Sequence, residues 1–187
     1  MRPQTVLTTR RLRLRTWRHG DWKVVYEKLN TDAVMAWLGG RCSPRQVQRE
    51  IDWYMRHFRR HQICFFAAER KRDGEFIGFC GLIKVGEIGS PIRGQLEIGW
   101  RVREDMWRRG YAAEAATAVL NWAELRMPGQ TVFARINIYN EASLQLAQKL
   151  GMRHVEGGDH THPAEGMRLA IYSINPAERS DRGQCYN

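Results

Sequence analysis

The strongest constraint on this chain is the change of hydrophobic period on either side of Gly110. From Gln95 to Val102 the period is two. Leu96, Ile98, Trp100 and Val102 fall on one face, and Glu97, Gly99 and Arg101 on the other, as in a strand. After Gly110 it becomes helical, with Ala112, Ala116, Val119, Leu120 and Ala123 at i, i+4, i+7, i+8 and i+11. Pro128-Gly129 ends that helix, and Thr131 to Ile138 reads as another strand. The segment is therefore a β-α-β unit. Its first turn, Trp107-Arg108-Arg109-Gly110-Tyr111-Ala112-Ala113, delivers the free amides and positive dipole of a helix start. A pyrophosphate docks well at such a turn: Gly110 and Ala112 let it approach the main chain, and Arg108 and Arg109 add charge. An ordinary βα turn with a surface arginine pair has the same spacing.

The flanking sequence sets that unit in a layered α+β sheet. Leu12, Leu14 and Thr16 alternate with Arg11, Arg13 and Arg15, which predicts a half-buried strand with one charged face. Helices are predicted over 21–29 and 32–38. A longer one follows Ser43-Pro44, an N-cap with Pro at the first helical position, and carries Val47, Ile51, Tyr54, Met55 and Phe58 on one stripe. The apolar run 63–69, the turn Asp73-Gly74 and the run 76–83 form a hairpin. Residues 86–94 are loop. A last helix spans 140–150 with Gly151 past its end, and strands over 152–156 and 167–174 complete the sheet.

With 187 residues the chain suits one domain, and 43% apolar against 27% charged residues rules out wholesale disorder. No run approaches the roughly 18 apolar residues of a membrane span, and no apolar stretch near the start resembles a secretory signal. Cys42, Cys64, Cys80 and Cys185 show no CxxC pairing, which argues against a disulfide framework or zinc cluster and favours a reducing cytoplasm. The formal net charge of +10, mostly arginine, points to an anionic partner: nucleic acid, an acidic membrane or a phosphorylated cofactor.

Several ordered motifs together resemble the GNAT N-acetyltransferases, most closely their RimJ/RimL-type branch. They are Glu97-Ile98-Gly99-Trp100, Trp107-Arg108-Arg109-Gly110-Tyr111-Ala112-Ala113-Glu114-Ala115, Asn140-Glu141-Ala142-Ser143 and Lys149-Leu150-Gly151-Met152. Leu7 to Arg15, Phe76-Ile77-Gly78, His162-Pro163 and Tyr172 fit the same branch. The resemblance covers about residues 7–174. It implies a single GNAT domain over 7–175 with a mixed, mostly antiparallel sheet flanked by helices, and a polar tail over 176–187. Two departures stand out. The branch often has Gly where this chain has Arg108, and many relatives place a Tyr, proposed as general acid, where this chain has Ala147.

The resemblance implies transfer of acetyl from acetyl-CoA to a primary amine by direct attack, with no metal. It places the cofactor on Ile98, Gly99, Trp100, Arg108, Arg109, Gly110, Tyr111, Ala112, Ala113 and Asn140, with the pantetheine arm in an opening where the strand of Ile98-Gly99-Trp100 is splayed by a bulge. Gly99 suits a bulge or a close backbone approach. Amine acetylation needs a neutral amine, although a lysine-type ammonium has a pKa of about 10.4. Glu97 is the candidate base, through water, or else an exposed strand carboxylate paired with an arginine such as Arg101. Ser143 is the candidate acid for the thiolate, or a first-turn serine bonding its own backbone. Asn140 binds the pantetheine amide or caps the last helix. His160 and His162 lack further ligands at metal-binding spacing, Cys80 reads as a packed thiol, and Arg45, Arg49, Arg56, Arg59 and Arg60 as a solvated helix face. The implied acceptor is a peptide N-terminus or a small amine, with a basic cleft favouring an anionic one. Nucleic acid is disfavoured, no membrane is involved, and the chain acts as a monomer or homodimer. The rival reading is a non-catalytic module of the same fold, sensing acetyl-CoA or working as a nucleic-acid-associated subunit.

Overall fold

The computed structural model describes residues 3–162 and 166–177. The chain opens with a hairpin, β1 (Thr5–Thr8) and β2 (Leu12–Arg15), followed by α1 (Asp21–Leu29), α2 (Asp32–Met35) and α3 (Pro44–His61). Three antiparallel strands come next: β3 (Phe65–Arg70), β4 (Phe76–Lys84) and β5 (Leu96–Val102). After a short 3-10 turn (Glu104–Met106) come α4 (Tyr111–Arg126), β6 (Val132–Asn137) and α5 (Glu141–Lys149). Two short strands, β7 (Arg153–His154) and β8 (His160–Thr161), precede β9 (Arg168–Ile174). The strands form one sheet in the order β1-β2-β3-β4-β5-β6-β9-β7, with β8 on β9. Every adjacent pair is antiparallel except β5–β6. The architecture is the mixed, mostly antiparallel α+β sheet flanked by helices that the sequence implied.

Local chemistry explains the main boundaries. Ser43 and Gln46 form a reciprocal capping box at the start of α3, and Pro44 occupies its first turn. The turn into β4 passes through Gly74 at φ +71°, and the Arg70 amide donates to the Glu75 carbonyl. Gly151 leaves α5 at φ +85°. Helix α2 is shorter than predicted and ends at Met35. The pair β1 and β8 went unpredicted, because a four-residue edge strand and a two-residue strand carry too little alternation to register.

Both faces of the sheet are covered. On one, Tyr54 of α3 packs its ring against Phe65 and Phe79, with centroids 5.5 and 5.8 Å apart. On the other, Phe66 meets Trp122 of α4 edge-on at 5.9 Å. Leu12, Leu14, Phe66, Leu82, Val119 and Leu120 are wholly buried between these layers. The expected charged face of β2 is only partly charged outward. Arg15 is buried and bound to Asp21 and Glu69, both within 2.7 Å, so that face is sealed by an ion-pair network. Residues 178–187, most of the expected tail, lie outside the described residues, as do Pro163 and Cys185. Among the described residues no helix is long and apolar enough to cross a membrane.

Candidate active site

Strands β5 and β6 pair at two positions only, Leu96 with Val132 and Glu97 with Phe133, and then part. On its other edge β5 stays in register with β4, from Lys84 opposite Leu96 to Gly78 opposite Val102. The backbone groups of Ile98, Gly99 and Trp100 that would have faced β6 therefore lack a strand partner. That is the opening anticipated from the motifs, but the expected bulge is absent, because the β4–β5 register runs without a shift. Gly99 is small for a different reason. A Cβ there would meet the Phe65 ring at 2.5 Å, and that ring is held by a parallel stack on Phe79.

Glu97 sits at the last paired position before the opening. It is buried, and Arg135 of β6 grips both its oxygens, Nη2 at 2.9 Å and Nε at 3.2 Å. Neither the exposure nor the Arg101 partner considered for Glu97 is found. Burial pushes its carboxyl pKa up, and the opposing pull of Arg135 does not cancel the rise. Arg135 also binds Glu87, whose other oxygen lies 3.0 Å from His162 Nε2.

Across the opening, helix α5 begins at Asn140. Its Oδ1 accepts from the Ser143 amide at 3.1 Å, so Asn140 caps the helix. The Ser143 hydroxyl does not bond its own backbone. Its oxygen accepts from the Trp100 indole N–H at 3.3 Å, which leaves the hydroxyl proton to be donated elsewhere. Ala147, at the position where the resemblance implied a Tyr, is completely buried.

Beyond β5, the chain reaches α4 through two residues in the left-handed region, Arg108 at φ +58° and Gly110 at φ +76°. The first is a conformation that favours glycine, in keeping with the glycine that the resemblance leads one to expect there. No side chain caps α4, so the amides of Tyr111, Ala112 and Ala113 point outward with the helix dipole. Arg108 and Arg109 are exposed beside them, Tyr111 is buried, and Ala112 and Ala113 are half-buried. A residue the motifs did not single out holds this turn. Arg11 donates through Nη1 to the Arg109 carbonyl at 2.9 Å, lies over the Tyr111 ring at 4.4 Å, and binds Glu114 through Nε at 2.6 Å. Glu114 also accepts from the Thr9 hydroxyl and the Arg11 amide. The turn fits a diphosphate: an open helix start, a glycine in the left-handed region and arginines on either side.

The remaining candidates are structural or exposed. Cys80 is buried, and desolvation pushes its thiol pKa upward, as expected of a packed thiol. Arg45, Arg49, Arg56, Arg59 and Arg60 are all exposed on α3. Trp17 is core, donating from Nε1 to the Phe65 carbonyl at 2.6 Å, while Trp37 and Trp53 are exposed.

Comparison with known proteins supplies the last observation. Residues 11–153 match the family model described as an acetyltransferase (GNAT) domain. The chain is 32% identical over 155 residues to the protein YkkB of Bacillus subtilis (strain 168), covering 82% of this chain and 88% of that one. A GNAT-family acetyltransferase from Bacillus anthracis superimposes with a TM-score of 0.74 at 23% identity, over 91% of this chain and 98% of its own. The Salmonella typhimurium acetyltransferase that modifies the N-terminal serine of ribosomal protein L7/L12 shares the fold. Its TM-score is 0.74 at 12% identity, over 92% and 99% of the two chains.

Proposed function

This chain belongs to the GNAT acetyltransferase family, and we propose that it is an N-acetyltransferase whose opening between β5 and β6 joins acetyl-CoA to a primary amine in a ternary complex. The carrying observation is that one gap has the α4 amides, Glu97 and the Trp100–Ser143 pair at its margins. Acetyl-CoA brings an activated thioester and a diphosphate. The amides of Tyr111, Ala112 and Ala113, with Arg108 and Arg109, would hold the diphosphate. The free edge of Ile98, Gly99 and Trp100 would pair with the pantetheine amides, and Asn140, already committed to its cap, adds its remaining amide hydrogens.

Glu97 then serves as general base, taking a proton from the acceptor ammonium through water. Its raised pKa makes it a better proton acceptor, and Arg135 fixes the carboxylate. Ser143 donates its hydroxyl proton toward the leaving thiolate, aimed by the Trp100 indole, and the positive end of α5 supports the developing charge. The acceptor is a peptide N-terminus or a small amine. The modification of a protein N-terminal serine by the Salmonella typhimurium fold neighbour supports the peptide. Release of free CoA thiol, followed at steady state across a panel of amines and peptides, tests the proposal. Amine-dependent release establishes it. Acetyl-CoA binding without release for any acceptor would instead favour a sensing module.

A further inference from the structure

We infer that Arg101 recognises a carboxylate on the acceptor, so that the preferred substrates are amines carrying an acidic group a few bonds from the reacting nitrogen; this rests on the acetyltransferase reading above. Arg101 shares a β5 face with Glu97 and Gly99. At about 3.3 Å per residue it stands some 7 Å along the strand from Gly99. Its side chain is only 16% exposed. Other arginines buried to this degree each grip two carboxylates: Arg15 with Asp21 and Glu69, Arg70 with Asp73 and Glu75, Arg103 with Glu75 and Asp105, Arg135 with Glu87 and Glu97.

Arg101 breaks that pattern. Its guanidinium makes no hydrogen bond to any described residue. The nearest anion is Glu50 Oε1 of α3 at 3.7 Å, beyond hydrogen-bond reach, and that oxygen already accepts from the Tyr54 hydroxyl at 2.7 Å. Its Cζ lies over the Phe79 ring, 4.8 Å from the centroid. No nitrogen of Arg101 is sealed from solvent. A guanidinium that is mostly buried, packed against an aromatic ring and still holding its donors suits a bidentate carboxylate. The excess positive charge of the chain draws anionic acceptors toward it.

The test compares acceptors that differ in that group while the reacting amine keeps nearly the same basicity: dipeptides Ala-Glu amide against Ala-Gln amide for a peptide source, and 4-aminobutanoate against 4-aminobutanamide for a free amino acid. The acidic member should show kcat/KM about tenfold or more above its neutral partner, the value of a charged hydrogen-bond pair. The arm with the larger ratio identifies the source. In Arg101→Gln the ratio should fall below about threefold, through KM for the acidic acceptor, and Arg101→Lys should recover part of it. Glu50→Gln, which removes the competing anion, should raise the ratio, an effect that a purely structural Arg101 would not produce. It also keeps the question decidable if Arg101→Gln fails to fold. No preference in wild type, or an equal preference in Arg101→Gln, overturns the inference. If no amine is acetylated, calorimetric binding of the same pairs to the CoA-loaded protein decides it separately from catalysis. Tighter acidic binding in wild type alone upholds the carboxylate site while the transfer reading falls, and equal affinities remove the site.

Discussion

Glu97 depends on a partner 38 residues away. Arg101 lies on the same strand face, but its guanidinium lies over Phe79, and Arg135 of the neighbouring strand holds Glu97 instead. If Glu97 is the base, kcat/KM must fall as pH drops through its raised pKa. Glu97→Gln should erase that acidic limb and lower kcat/KM by about 10²–10⁴ at neutral pH. A pH–rate profile unchanged by the substitution would leave Glu97 structural. Gly99 yields a second prediction. Gly99→Ala would drive a methyl into the Phe65 ring, which Phe79 and Tyr54 keep from moving, and overpacking of this kind costs about 1–3 kcal/mol. Phe65→Leu in the same chain should return most of that loss, measured by urea unfolding of both single variants and the double. Strand alternation identified both residues as belonging to one face. It could not identify Arg135 or Phe65, because lateral neighbours across a sheet leave no periodic trace in sequence.

At the level of elements, the β-α-β unit was legible because a period of two gives way to 3.6 at a glycine, and the structure places α4 within a residue of that change. What fixes α4 was not legible. Glu114 reaches across about a hundred residues of sequence to Thr9 and Arg11, tying the helix start and its turn to the β1–β2 hairpin. Burial alone would raise the Glu114 pKa. The Thr9 hydroxyl and the Arg11 amide and guanidinium outweigh it, and the net shift is downward. A carboxylate with a depressed folded pKa stabilises the fold above its unfolded value of about 4.3, and that support is lost as pH falls through the folded value. Glu114→Gln should therefore be less stable than wild type at pH 7, and the difference should shrink toward pH 3. Urea midpoints at the two pH values check this. A constant gap would mean that shape, not charge, holds the turn. The same variant should weaken acetyl-CoA binding, since the Arg109 carbonyl and the Tyr111 ring both rest on Arg11.

For the whole molecule, the decisive feature is a seam. The arm β1–β5 and the arm β6-β9-β7 make one sheet, yet among the described residues their strands pair only at Leu96–Val132 and Glu97–Phe133. Helix α4 is the covalent crossover, and the Trp100–Ser143 bond is one of the side-chain bridges. A seam so lightly paired costs stability, because the edge of β5 loses the ladder bonds it would otherwise make. A ligand that occupies the gap stabilises the native state by mass action, about 2.7 kcal/mol at a hundred times its dissociation constant. Amide hydrogen exchange should locate that gain. Without ligand, the edge amides of Ile98 to Trp100 and those of Tyr111 to Ala113 should exchange by local opening, well ahead of the paired centre of β3 and β4. With acetyl-CoA both sets should slow together, because one molecule would bridge the strand edge and the helix start. Gly110→Asp, which sets a carboxylate where the diphosphate should lie, should abolish protection at both places. Protection at the helix start without any at the strand edge would mean a diphosphate site unconnected to the gap, and the acyl transfer proposed across β5 and β6 would lose its geometry.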